Sequence, residues 1–131
     1  MQKVVFNGHY LTYIDSAVAE YWREIGLPYP EGYVSRYGND LYLRKAAVEY
    51  LGSARYDDVL AVLCRVGRLG NSSMTFRFEI WRDEPDPSSA PLITADLVYV
   101  NVDVATTGAA PLPEDLRSRI LGYERIAPVQ A

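Results

Sequence analysis

Cysteine and histidine are almost missing from this sequence. Cys64 is the one cysteine and His9 the one histidine in 131 residues. A lone cysteine closes no internal disulfide, and one cysteine with one histidine builds no zinc-type ligand cluster, so neither a disulfide framework nor a metal is expected. Cys64 sits in the apolar run Val59 to Val66. It reads as a buried structural thiol rather than a nucleophile, and an unpaired thiol fits a cytoplasmic address. No apolar run approaches the ~18–20 residues a membrane span needs. Met1-Gln2-Lys3 leads into only two apolar residues before Phe6, so no signal peptide is expected. Positive charge is not in excess. The net charge is −4, which argues against nucleic acid as a partner but leaves room for a phosphorylated small ligand held by a local group of cations. There is no Gly-x-Ser-x-Gly elbow, and a Ser-His-Asp triad would have to be built on His9. Internal repeats and low-complexity segments are also missing, and the length suits one domain with one core.

What is present begins with a helix. From Val4 to Ile25 the sequence reads VVFNGHYLTYIDSAVAEYWREI. Tyr10, Tyr13, Ile14, Ala17, Val18, Tyr21, Trp22 and Ile25 recur at helical spacing, with no strand alternation. The predicted helix runs from about Asn7 to Ile25 and stops at Gly26 and Pro28. GLPYPEGY then reads as a loop, and Tyr33 to Tyr37 as a short strand or more loop.

From Asp40 the period becomes two. Strands are predicted over Leu41–Leu51, Asp58–Leu69, Met74–Asp83 and Leu92–Val104. The cleanest alternation is MTFRFEIWRD, with Met74, Phe76, Phe78 and Ile80 facing one way and Thr75, Arg77, Glu79 and Trp81 the other. Gly70-Asn71-Ser72 is a hairpin turn, and EPDPSSAP an exposed loop. Pro113 opens a short helix, PEDLRSRILGY, with Glu114 and Asp115 at its positive end, and the tail from Ile126 is expected to fray. Consecutive strands joined by tight turns give an antiparallel sheet, which must cover the broad apolar arc of the first helix. The fold class is therefore α+β, a long central helix wrapped by an antiparallel sheet. The second sheet face, assigned Tyr42, Val48, Tyr50 and Trp81, suggests a symmetric oligomer.

Four stretches also carry a resemblance: VVFNGHYLTYIDSA, EYLGSARYDD (Glu49 to Asp58), RLGNSSMTF (Arg68 to Phe76) and VNVDVATTGAAPLPEDLRSRI (Val100 to Ile120). In order and spacing they resemble the 4-hydroxybenzoyl-CoA thioesterase family of hotdog-fold proteins, over nearly the whole chain from Val4 to about Ile120. The resemblance implies a single hotdog domain over residues 1–131, a homodimer or homotetramer, and hydrolysis of acyl-CoA thioesters with no cofactor beyond the CoA of the substrate. It places the family's aspartate just ahead of the helix. By spacing that position falls immediately before Met1, and the first strand is correspondingly short.

Attack on a thioester carbonyl creates an oxyanion, which the free N–H groups and positive dipole of a helix N-terminus stabilise. The resemblance implies that role for the backbone near Asn7 or Gly8, where the missing side chain of Gly8 admits the substrate. Asn7 as an N-cap and Gly8 as a turn residue account for the same pair. His9 is a candidate base near neutral pH. Asp15 and Glu49 are the carboxylates to weigh beside it, Asp15 reading as supporting and Glu49 as solvent-facing. Tyr10 and Ile14 are expected to line the acyl pocket. Arg65 and Arg68, with the turn residues Asn71, Ser72 and Ser73, could hold a phosphate or the pantetheine amides, as the same hairpin does in the resembling family; Arg55 is a weaker candidate. The expected activity is acyl-CoA thioester hydrolysis. The alternatives are a non-catalytic acyl-CoA-binding hotdog protein lacking the usual aspartate, an interaction module using the outer sheet face, and a dehydratase-type lyase built on His9.

Overall fold

A computed structural model describes residues 2–5, 10–55 and 58–130. Among them the order is β1 (Gln2–Val5), α1 (Tyr10–Glu24), α2 (Glu31–Tyr37), β2 (Asn39–Tyr50), β3 (Val59–Leu69), β4 (Ser73–Arg82), β5 (Ile93–Asp103), α3 (Glu114–Tyr123) and β6 (Val129–Gln130). The four long strands lie within two residues of their predicted bounds.

The helical stripe read from the sequence is what α1 buries. Tyr13, Ile14, Ala17, Tyr21, Trp22 and Ile25 all lie in the core. The helix ends in a Schellman motif. Leu27 N–H donates to the Trp22 carbonyl at 2.9 Å and Gly26 N–H to that of Arg23 at 3.0 Å. This geometry needs a left-handed residue at Gly26, whose φ is 81°. Arg119 Nη1 donates to the Ile25 carbonyl at 2.8 Å, placing a cation at the negative end of the helix.

The sheet order is β1-β3-β4-β5-β2, antiparallel throughout that path. Met74, Phe76, Phe78 and Ile80 of β4 are buried on the face that carries α1, where Phe76 meets the Tyr21 ring at 5.1 Å and Trp22 at 5.9 Å. Register carries that face across to β2, because directly opposed residues share a side. Phe78, Ala95 and Val48 form one row and Ile80, Ile93 and Tyr50 the next. Val48 and Tyr50 therefore face α1. This corrects the expectation that they join Tyr42 on the outer face. The irregular alternation in β2 has a cause: a bulge between Leu43 and Lys45 switches the parity partway along the strand.

Two further expectations are corrected. Residues 33–37, read as strand or loop, belong to α2. Glu31 lies in its first turn, Arg36 in its last, and Gly38 caps it at φ 67°. Its Tyr33 is fully buried and donates a hydrogen bond to Asn101 Oδ1 at 2.7 Å. The tail, expected to fray from Ile126, is paired at residues 129 and 130. Val129 and Gln130 pair parallel with Arg68 and Leu69, on the β3 edge whose other half is taken by β1. The end of α3 seals this region: Glu124 accepts from the Tyr21 hydroxyl at 2.6 Å and from Val66 N–H at 2.9 Å.

Candidate functional site

One flank of α1 does not touch the sheet closely and leaves a cleft. Asp15, Val18, Ala19 and Trp22 form its helix side, at the i, i+3, i+4, i+7 spacing of a single helix face. Leu41, Phe76 and Tyr99 form the sheet side, and Tyr29 stands at the Trp22 end. The space is about 220 Å³. Asp15 and Ala19 are exposed and mark the mouth, whereas Trp22 and Phe76 are fully buried and mark the interior.

The inner end is held firmly. The Trp22 ring lies 6.0 Å from that of Tyr29 and 5.2 Å from that of Tyr33. The Tyr29 hydroxyl donates to the Asp40 carboxylate, which also accepts Leu41 N–H at 2.8 Å. Burial and this hydrogen bond to Asp40 push the Tyr29 phenol well above its ordinary pKa. Tyr99 is raised as well, first by burial and then by the Asp15 charge. The cleft is thus an apolar, aromatic-walled slot whose lining includes a single carboxylate, Asp15, at the entrance. Such a slot suits a small apolar group attached to a polar carrier that stays in solvent.

The residues singled out from the sequence are spread over distinct places. Asn7, Gly8 and His9 lie outside the described residues, in the link between β1 and α1. Tyr10 is half-buried at the start of α1, its ring 6.0 Å from that of Tyr50, while Ile14 is buried in the core. Arg65 and Arg68 project from the sheet face opposite α1. Arg65 stands directly across from Arg77, and a broad cavity of about 690 Å³ there also includes Glu49, Glu79 and Asp96. Glu49 therefore faces away from the helix.

Asn71 and Ser72 form the β3–β4 turn and Ser73 opens β4; the carbonyls of the turn are taken by later segments of the chain. Asn101 N–H donates to the Ser72 carbonyl at 2.7 Å, Leu112 N–H to that of Asn71 at 2.8 Å, and Arg117 donates to those of Gly70 and Asn71. Arg55 N–H is bonded to Asp58 Oδ2 at 2.7 Å. Burial, then the Glu124 charge, raise the Cys64 thiol far above the range of a reactive cysteine. Among the described residues no cluster of three histidine, cysteine, aspartate or glutamate side chains is arranged to hold a metal ion, and no helix is long and apolar enough to cross a membrane.

Most of the cleft is not marked in the sequence. Helical spacing puts Val18 and Trp22 in the core stripe, and GLPYPEGY puts Tyr29 in a loop. The available signal was Asp15-Val18-Ala19-Trp22, a second helical flank in which a small residue is followed by a large aromatic one.

Residues 2–88 match the family model described as the Thioesterase superfamily, and the chain belongs to that superfamily. Its fold is the hotdog fold, a central helix held in a curved antiparallel sheet. Solved structures agree in fold. A hypothetical protein of Aquifex aeolicus is 22% identical, with a TM-score of 0.70 over 85% of this chain and 81% of that one. A protein of Staphylococcus aureus, solved in complex with CoA, is 14% identical, with a TM-score of 0.77 over 98% and 85%. A 1,4-dihydroxy-2-naphthoyl-CoA thioesterase of Synechocystis is 20% identical, with a TM-score of 0.73 over 94% and 87%. Among curated proteins none matches the sequence.

Proposed function

We propose that the protein is a cytoplasmic acyl-CoA thioesterase that hydrolyses a thioester to a free acid and CoA. The observation that carries this reading is the slot beside α1. It is apolar and aromatic inside, opens to solvent along Asp15 and Ala19, and has Asp15 at that opening. The acyl group would lie in the slot with its thioester carbonyl toward the N-terminal part of α1, where helix N–H groups stabilise the oxyanion. Water would be the acceptor, activated by a carboxylate. Asp15 is the carboxylate nearest to hand in the slot. Membership of the Thioesterase superfamily supports the hydrolytic reading, and a fold neighbour solved with CoA supports the carrier.

The working unit would be a homodimer, or a homotetramer built from dimers. Strand β2 supports this. It pairs only with β5 among the described strands and has a free edge along its length. Tyr42, Leu43 and Tyr50 on it are 54%, 53% and 65% exposed. A long edge strand carrying apolar residues on both faces is a pairing surface, and an antiparallel match with the same strand of a second copy satisfies it symmetrically.

The test is thiol release from a panel of acyl-CoA thioesters by the wild-type chain and by Asp15→Asn. Release by the wild type with a hundredfold or greater loss in Asp15→Asn supports both the activity and the role of Asp15. Equal release by both keeps the activity and moves the base elsewhere. No release from any thioester, with retained binding, makes the protein a non-catalytic acyl-CoA binder.

A further inference from the structure

Resting on that reading, we infer that the slot is a size filter. It takes a compact acyl group, one aromatic ring or an aliphatic chain of similar bulk, and excludes long fatty chains, with Tyr29 as the stop. The observations are the dimensions and the end wall. From Asp15 to Trp22 the slot follows seven residues of helix, a length of about 10 Å at ~1.5 Å per residue. Its volume of about 220 Å³ compares with the ~150 Å³ apolar cavity that accommodates benzene, and is smaller than the ~300–1,000 Å³ of sites for drug-sized ligands.

The wall is two layers deep. Tyr29 packs on Trp22, and behind both lies the fully buried Tyr33, 5.9 Å from Tyr29 and bonded to Asn101. Tyr29 is also tied to Asp40 at the start of β2, so the ring does not swing aside without breaking that bond. The neighbouring Phe76 and Tyr99 rings meet edge to face at 5.7 Å, which makes the sheet side equally stiff. A chain longer than the slot has nowhere apolar to go. Its added methylenes stay in water and contribute no affinity.

The experiment uses non-hydrolysable thioethers, S-benzyl-, S-hexyl- and S-decyl-CoA, titrated into Trp81→Phe. That change removes one of the two tryptophans, on the outer sheet face, and leaves Trp22 as the sole reporter. If the slot ran on, each extra buried methylene would tighten binding about fourfold, or about 200-fold from hexyl to decyl. The expected result is that all three analogues change Trp22 emission and that decyl binds no more than tenfold tighter than hexyl. Adding Tyr29→Ala opens the wall and gives decyl at least a further tenfold advantage. Adding Ala19→Phe at the exposed mouth, which brings bulk without a second tryptophan and where folding is not at stake, weakens all three at least tenfold. The inference is overturned if decyl gains a hundredfold in the Trp81→Phe parent, if Trp22 responds to none of the analogues, or if Ala19→Phe has no effect. The expected pattern together with no thioester hydrolysis would keep the size filter and remove the hydrolase reading. Hydrolysis with a silent Trp22 would do the reverse.

Discussion

Asn101 holds the inner end of the fold together, and its replacement by alanine has a calculable consequence. The side chain is fully buried. Its Oδ1 accepts from the Tyr33 hydroxyl at 2.7 Å, and its Nδ2 donates to the carbonyls of Ala110 at 3.2 Å and Pro111 at 3.1 Å. Asn101→Ala leaves the Tyr33 hydroxyl buried without an acceptor, a loss of about 1–3 kcal/mol. The two carbonyls sit in a partly exposed segment and recover water, so they add less. The sum is about 3 kcal/mol, or roughly 10 °C in Tm for a chain of this size. Tyr33→Phe removes the hydroxyl instead, leaves one acceptor lone, and costs about 1–2 kcal/mol. The double variant should be more stable than the sum of the two by at least about 1 kcal/mol, because the buried unpaired hydroxyl is then gone. Urea denaturation at fixed protein concentration measures all three. Strict additivity, or an Asn101→Ala cost below about 1 kcal/mol, would refute the reasoning.

Further expectations follow from other parts of the molecule. Asp115 accepts from Tyr37, Arg36 and Arg119, and these bonds hold its carboxyl well below the ordinary range. A depressed carboxylate contributes stability above its unfolded pKa of ~3.9 and loses it as the pH falls further. The gap between wild type and Asp115→Asn should therefore be widest near neutrality and close in acid, as denaturation at several pH values would record. Cys64 is half-buried rather than fully buried, with its thiol raised by desolvation and then by the Glu124 charge, so at mildly alkaline pH it should react with Ellman's reagent far more slowly in the native than in the unfolded chain; labelling of the native protein within the mixing time would contradict that shift. Leu43→Lys together with Tyr50→Lys, at two exposed β2 positions, should convert the proposed dimer to a monomer in light scattering without loss of helical signal. An unchanged mass would move the interface away from β2.

Most of the fold was legible because its strongest signals are local. The α1 stripe and the β4 alternation both report burial of one face, and both faces are where the periods put them. The signal weakened where a single residue changed the period. The bulge after Leu43 turned Val48 and Tyr50 to the helix side although simple counting grouped them with Tyr42. Helix α2 was hidden by the prolines and glycines around it, although Pro30, Glu31, Arg36 and Gly38 mark a start and a stop. The parallel pairing of β6 rests on two residues and a free stretch of β3 edge, which no local pattern encodes. The cleft was harder still. Its walls come from α1, β2, β4, β5 and the loop after α1, and a site assembled from segments that far apart exists only once the sheet has closed on the helix.

The most direct test of the central claim is to incubate the protein with benzoyl-CoA in ¹⁸O-labelled water and analyse the products by mass spectrometry. Hydrolysis by water predicts free CoA and benzoic acid carrying one labelled oxygen, at a rate abolished by blocking the cleft with Ala19→Trp. Intact benzoyl-CoA would contradict the assignment, as would turnover untouched by Ala19→Trp.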